Sequence, residues 1–78
     1  MKYVATFYTH AAALMTDRTL KKQGVPSKLG PVPRKLSSSC GTCLMYESDD
    51  PLLSWMDRDF EAVYAVSGQG YEELLRNN

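Results

Sequence analysis

Nothing in this sequence is present in excess. Its nine basic and nine acidic residues cancel to a formal net charge of zero. That excludes broad electrostatic binding of nucleic acid or of an anionic membrane. No apolar run approaches the roughly 20 residues of a membrane-spanning helix. Two cysteines in 78 residues are too few for a disulfide framework. The single histidine, His10, stands far from both in sequence, and no second C-x-x-C or H-x-x-x-H accompanies them, so no metal site is expected. A phosphate-binding glycine loop, a paired-carboxylate set and a Ser–His–Asp set are also missing. A stand-alone enzyme is therefore the least expected class, and no cofactor is expected. The residues after Met1–Lys2 read YVATFY, too short and too alternating for a secretory leader. The expected location is the cytoplasm, where thiols stay reduced.

What is present reads as one small domain, 1–78, with a thin core. KYVATFY, Lys2–Tyr8, is aromatic and β-branched and predicts a strand. Thr9 is placed to cap a helix over His10–Gln23, with Gly24 as its stop. His10 then falls in the first helical turn as an exposed or capping residue. VPSKLGPV, Val25–Val32, predicts an edge strand weakened by its prolines. A loop to Cys40 and a strand over Gly41–Glu47 follow. Asp49-Asp50-Pro51 opens a short helix running to about Asp57, and Phe60–Val66 is a fourth strand. Ser67–Gly70 is a turn, and Tyr71–Arg76 carries helical spacing. The order βαββαβ predicts an α+β ferredoxin-like sandwich. Its sheet has four antiparallel strands, and two helices, the second short, lie on one face. The core runs over about 2–66, with 67–78 as a C-terminal extension ending in a helical turn. The other sheet face is left open, or is the contact of a homodimer.

Chemistry concentrates in KLSSSCGTC, Lys35–Cys43. CGTC has the spacing of a thiol–disulfide pair. Three residues of strand span roughly 10 Å, whereas a disulfide needs Cα atoms within about 7 Å. A bridge therefore requires the backbone to turn between Cys40 and Cys43, which Gly41 permits. Cys43, inside a strand, reads first as a small core residue and second as another candidate thiol. Cys40, at a loop-to-strand junction, reads equally as core filler or as a nucleophile. In the second case Ser37, Ser38 and Ser39 offer donors, backbone amides around Ser39–Gly41 can form an anion-binding nest, and Arg34 and Lys35 add positive charge. Gly41 lets a substrate approach closely.

The run PVPRKLSSSCGTCL resembles the signature of a small bacterial and archaeal family described as selenium/sulfur carrier protein-like, Pro-x-Pro-Arg-x-hydrophobic-Ser-Ser-x-Cys-Gly. Pro31, Pro33, Arg34, Leu36, Ser37, Ser38, Cys40 and Gly41 match it. Phe7 at the end of the first strand, Thr9-His10 entering the helix, Gly24-Val25 and Val63-Tyr64 extend the resemblance over about residues 2–66. The short second helical segment and the region after Val66 depart from it. The resemblance implies that Cys40 is a carrier thiol holding a persulfide-type adduct, with Arg34 and Ser37–Ser39 as its support. It also implies partners: a cysteine desulfurase or selenium-delivering enzyme, and an acceptor protein. Two other functions stand beside it. One is an interaction or sensor module in which Cys40 is structural. The other is a small thiol–disulfide protein using Cys40 and Cys43.

Overall fold

A computed structural model describes all residues, 1–78. The elements are β1 (Lys2–Phe7), α1 (His10–Lys22), β2 (Ser27–Pro31), β3 (Thr42–Glu47), a single 3-10 turn (Leu53–Trp55), β4 (Phe60–Ser67) and β5 (Gly70–Arg76). The five strands form one antiparallel sheet in the order β2-β3-β1-β4-β5. The most β-prone segment, β1, takes the centre, paired with both β3 and β4.

Local chemistry explains both ends of α1. Thr9 is extended (φ −132°, ψ 153°), and its hydroxyl accepts the Ala12 amide at 3.1 Å. At the far end Gly24 adopts φ +78°, and the amides of Gly24 and Val25 return to the carbonyls of Lys21 and Leu20. That pair of bonds is a Schellman stop, which needs a left-handed residue at this position. The helix buries Ala12, Ala13, Thr16, Asp17 and Leu20. Leu14 is exposed. The buried acid is compensated: Asp17 accepts from Lys21 Nζ at 2.8 Å and from Ser27 Oγ at 2.7 Å.

Strand alternation divides the sheet into two faces. Tyr3, Ala5, Phe7, Leu44, Tyr46 and Val63 meet Ala12, Ala13 and Leu20 of α1 in the main core. On the reverse face Val4, Thr6, Cys43, Ala62 and Tyr64 are also buried, although no helix lies there. The expectation of an open face is corrected at this point. The segment 32–39 crosses the reverse side: Pro33, Arg34 and Lys35 share a depression with Val66–Tyr71, and the Ser39 amide reaches Glu61. The Lys2–Val66 end stays open, as an apolar depression of about 370 Å³ beside Met45 and Tyr71. The expected homodimer face is thus largely occupied by the chain itself.

The α+β class holds, but a four-stranded sheet with two helices does not: one helix packs on five strands. The second helix over Asp50–Asp57 fails for a local reason. Ser48 Oγ accepts the Asp50 amide, and Asp50 Oδ1 accepts the Leu52 amide at 2.7 Å. Such side-chain turns compete with helical bonding. Leu52 then adopts a left-handed φ of +57°, which an L-residue inside a helix cannot hold, so only the 3-10 turn forms. Tyr46 donates its hydroxyl to Pro51 O and fixes this segment to β3.

The C-terminal helical turn is also corrected. Ser67 pairs with Gly70 across a two-residue hairpin, and Gly70 takes φ +126°. Six residues are too few for a stable isolated helix, whereas pairing with β4 satisfies the backbone. Asn77 locks the strand's end, donating from Nδ2 to Phe60 O at 2.8 Å and from its amide to Glu61 O at 2.9 Å.

Candidate functional site

The Cys40 turn lies where the crossing segment enters β3. Gly41 supplies the change of direction at φ +73°, and its carbonyl accepts the Val32 amide at 3.3 Å. That bond closes the base of the segment beside the β2–β3 pair. Gly41 turns the chain into β3, and the two cysteines, three positions apart, end in different surroundings. Cys40 is half-buried and packs against the helix-side core. Cys43 is fully buried on the reverse face.

The two sulfurs have different partners. Cys40 Sγ donates to Thr42 O at 3.4 Å, and Cys43 Sγ donates to Pro31 O at 3.4 Å. Both cysteines are free. Burial pushes the Cys43 thiol above its ordinary pKa, and the neighbouring Cys40 adds to the shift. Burial thus disfavours the Cys43 thiolate, whereas the Cys40 residue is only half-buried.

The site residues expected from sequence divide into two groups. Ser38, Ser39, Cys40 and Gly41 stay together at the turn, where Ser38 Oγ donates to Phe7 O at 3.1 Å and the Ser39 amide donates to Glu61 Oε1 at 3.0 Å. These donors pin the loop to the ends of β1 and β4; neither is aimed at Cys40 Sγ. Ser37 is exposed and makes no side-chain hydrogen bond. Arg34 and Lys35 lie away from the turn, beside the β4–β5 hairpin.

Three neighbours escaped the sequence reading. Thr42 is the hub: its carbonyl accepts from Cys40, and its Oγ1 is 3.2 Å from His10 Nδ1. His10 is exposed as expected, but α1 delivers it to the cysteine turn. Thr9-His10 entering the helix was the only sequence signal for it. Glu61 sits at the irregularity where the β1–β4 register shifts between Thr6 and Phe7, and nothing in its own neighbourhood announces a role. No three of the histidine, cysteine, aspartate and glutamate side chains gather into a metal-binding group.

A half-buried thiol, a glycine beside it and a histidine two contacts away share this turn. Against known families, the one described as "Putative Se/S carrier protein-like" matches residues 2–53. That is two thirds of the chain. The chain belongs to this family. The match runs from β1 to the start of the 3-10 turn and includes the whole Cys40 turn; it stops short of residue 66, so β4 and β5 lie outside it. Neither a curated protein nor a solved structure matches the chain. The family name implies partner enzymes in general. No helix is long and apolar enough to cross a membrane.

Proposed function

We propose that this carrier-family chain holds a sulfur or selenium atom on Cys40 and passes it between enzymes. The observation that supports this most is the contrast in access: Cys40 is partly exposed at a turn, and Cys43 is sealed. Loading is an exchange. The Cys40 sulfur, having lost its proton to water, attacks the outer sulfur of a donor enzyme's cysteine persulfide. The S–S bond of the donor breaks, its cysteine leaves as a thiolate and takes up a proton, and Cys40 carries S–SH. One S–S bond forms and one breaks, so no external oxidant or reductant is consumed. Delivery is the same exchange run towards an acceptor thiol.

Two features of the turn serve this step. Gly41 presents no side chain, and a Cβ placed there would meet nothing within 4 Å, so a partner's sulfur has room. Thr42 O holds the resting thiol in one orientation. The test is mass spectrometry after incubation with a cysteine desulfurase and cysteine. Wild type and Cys43→Ala should each gain one sulfur atom, and Cys40→Ser none. Uptake by Cys40→Ser, or no uptake by wild type, removes the proposal.

A second reading has an observation of its own. Cys40 also packs against the helix-side core, as a purely structural cysteine in an interaction module would. Alkylation decides between them: a carrier thiol reacts with iodoacetamide in the native fold, whereas a structural one reacts only at the rate of unfolding.

A further inference from the structure

The Arg34–Lys35 pair was expected beside the cysteine, and the fold sends it elsewhere. The Leu36 amide returns to Pro33 O at 3.0 Å, so Arg34 and Lys35 are the two central residues of a hydrogen-bonded turn. Facing that turn is the β4–β5 hairpin, whose tip is Gly68-Gln69. Between the two turns lies an open depression of about 410 Å³. Arg34, Lys35, Gln69 and Tyr71 contribute to its wall. None of these four side chains makes a hydrogen bond or ion pair within the chain; the chain's two ion pairs are Lys21–Asp17 and Arg76–Glu73.

Charge composition sharpens the point. The sequence holds nine acidic residues for nine basic ones, yet no aspartate or glutamate lines this depression. Two cations, an amide and a phenol therefore meet with no acidic counterpart. Arginine's planar fork and the compact lysine ammonium are the pair of groups that binds tetrahedral oxyanions best. Gly68 and Gly70 keep the opposite rim free of side-chain bulk.

We propose that this depression is an anion-binding site for a phosphate group, either free phosphate or the phosphate of a small ester. It is separate from the cysteine turn, since Cys40 is not among its lining residues, and it does not depend on the sulfur-carrying reading. The Arg34 guanidinium and the Lys35 ammonium bind the oxygens, and Gln69 and Tyr71 supply neutral donors on the hairpin side.

Amide NMR titration of the full chain tests it, at fixed pH and matched ionic strength, with inorganic phosphate, glycerol phosphate and sodium chloride. The expected result is saturable shifts confined to Arg34, Lys35 and Gly68–Tyr71 with one or both phosphates, and none with chloride. Saturation by the ester alone assigns an ester; saturation by inorganic phosphate alone assigns the free anion. The double variant R34Q/K35Q should weaken binding at least about tenfold. Both side chains are exposed, so the variant's spectrum outside the site should be unchanged, and R34K should retain part of the affinity. Linear, unsaturated shifts, equal shifts with chloride, or undiminished binding by R34Q/K35Q would overturn the assignment.

Discussion

The two faces of the sheet bury residues by different means. The helix side is an ordinary core, where Leu20, Phe7 and Leu44 are fully buried between α1 and the strands. The reverse side buries Val4, Thr6 and Cys43 just as completely, but its cover is a proline- and serine-rich segment with no regular structure between Pro31 and Thr42. Each face receives one cysteine. The cysteine on the helix side is the less buried one, because it sits at the turn rather than inside the strand.

That contrast can be broken in four ways. Sulfur loading gives the largest effect: Cys40→Ser should abolish it and Cys43→Ala should leave it, as read by intact mass. If Cys43→Ala also loses loading, the division of labour between the faces is wrong. Next is packing. Leu44→Ala on the helix side should cost about 2–5 kcal/mol, and Val4→Ala on the reverse side about 1.5–3 kcal/mol, both by urea unfolding. A larger loss at Val4 would make the reverse face the more tightly packed of the two.

Third is the turn that separates the thiols. Gly41→Ala meets no steric neighbour, but it places an L-residue at φ +73°, costing about 1–2 kcal/mol. Gly41→Asn should cost less, since asparagine tolerates the left-handed region. Equal losses for the two would show that space, rather than backbone conformation, governs the site.

The smallest effect is a pH dependence on the helix side. Burial opposes ionisation of Asp17, yet the Lys21 and Ser27 hydrogen bonds outweigh it and hold the carboxyl below its ordinary range. A depressed carboxyl contributes stability that is fully present above its unfolded pKa and is lost as pH falls through the folded one. The chain should therefore lose stability in acid, below about pH 4, and Asp17→Asn should flatten that limb of the curve. An unchanged acid limb in Asp17→Asn would assign the loss to other carboxylates.

Much of the first half was legible in the residues. Lys2–Phe7, the Thr9 cap, the Gly24 stop and β3 all carry strong local signals, and each appears within two residues of its expected bounds. The failures have physical causes. At 49–57, an acidic cap followed by proline is common to helix starts and to Asx turns; only the left-handed Leu52 chose between them. At 71–76, Leu74 and Leu75 fit a helical stripe as well as a strand, and both remain exposed. Pairing with β4, its neighbour in both sequence and sheet, settled the conformation. In the site, the cysteine turn itself was readable from Ser-Ser-x-Cys-Gly, whereas His10, Thr42 and Glu61 were not. They meet it through contacts 32 and 22 residues apart for the His10–Thr42 and Ser39–Glu61 pairs.

The sequence by itself determined the helix and its caps, the central strand, the position of the turn and the identity of the thiol that stands in it, because those depend on side chains acting on their own neighbouring backbone. Tertiary structure alone decided that the serine-rich segment would lie across a sheet face, that arginine and lysine would be carried away from the sulfur, and that a histidine would be brought to it. Those outcomes follow from burying the reverse face of a sheet whose one helix is committed to the other side, a demand that no local stretch of residues expresses.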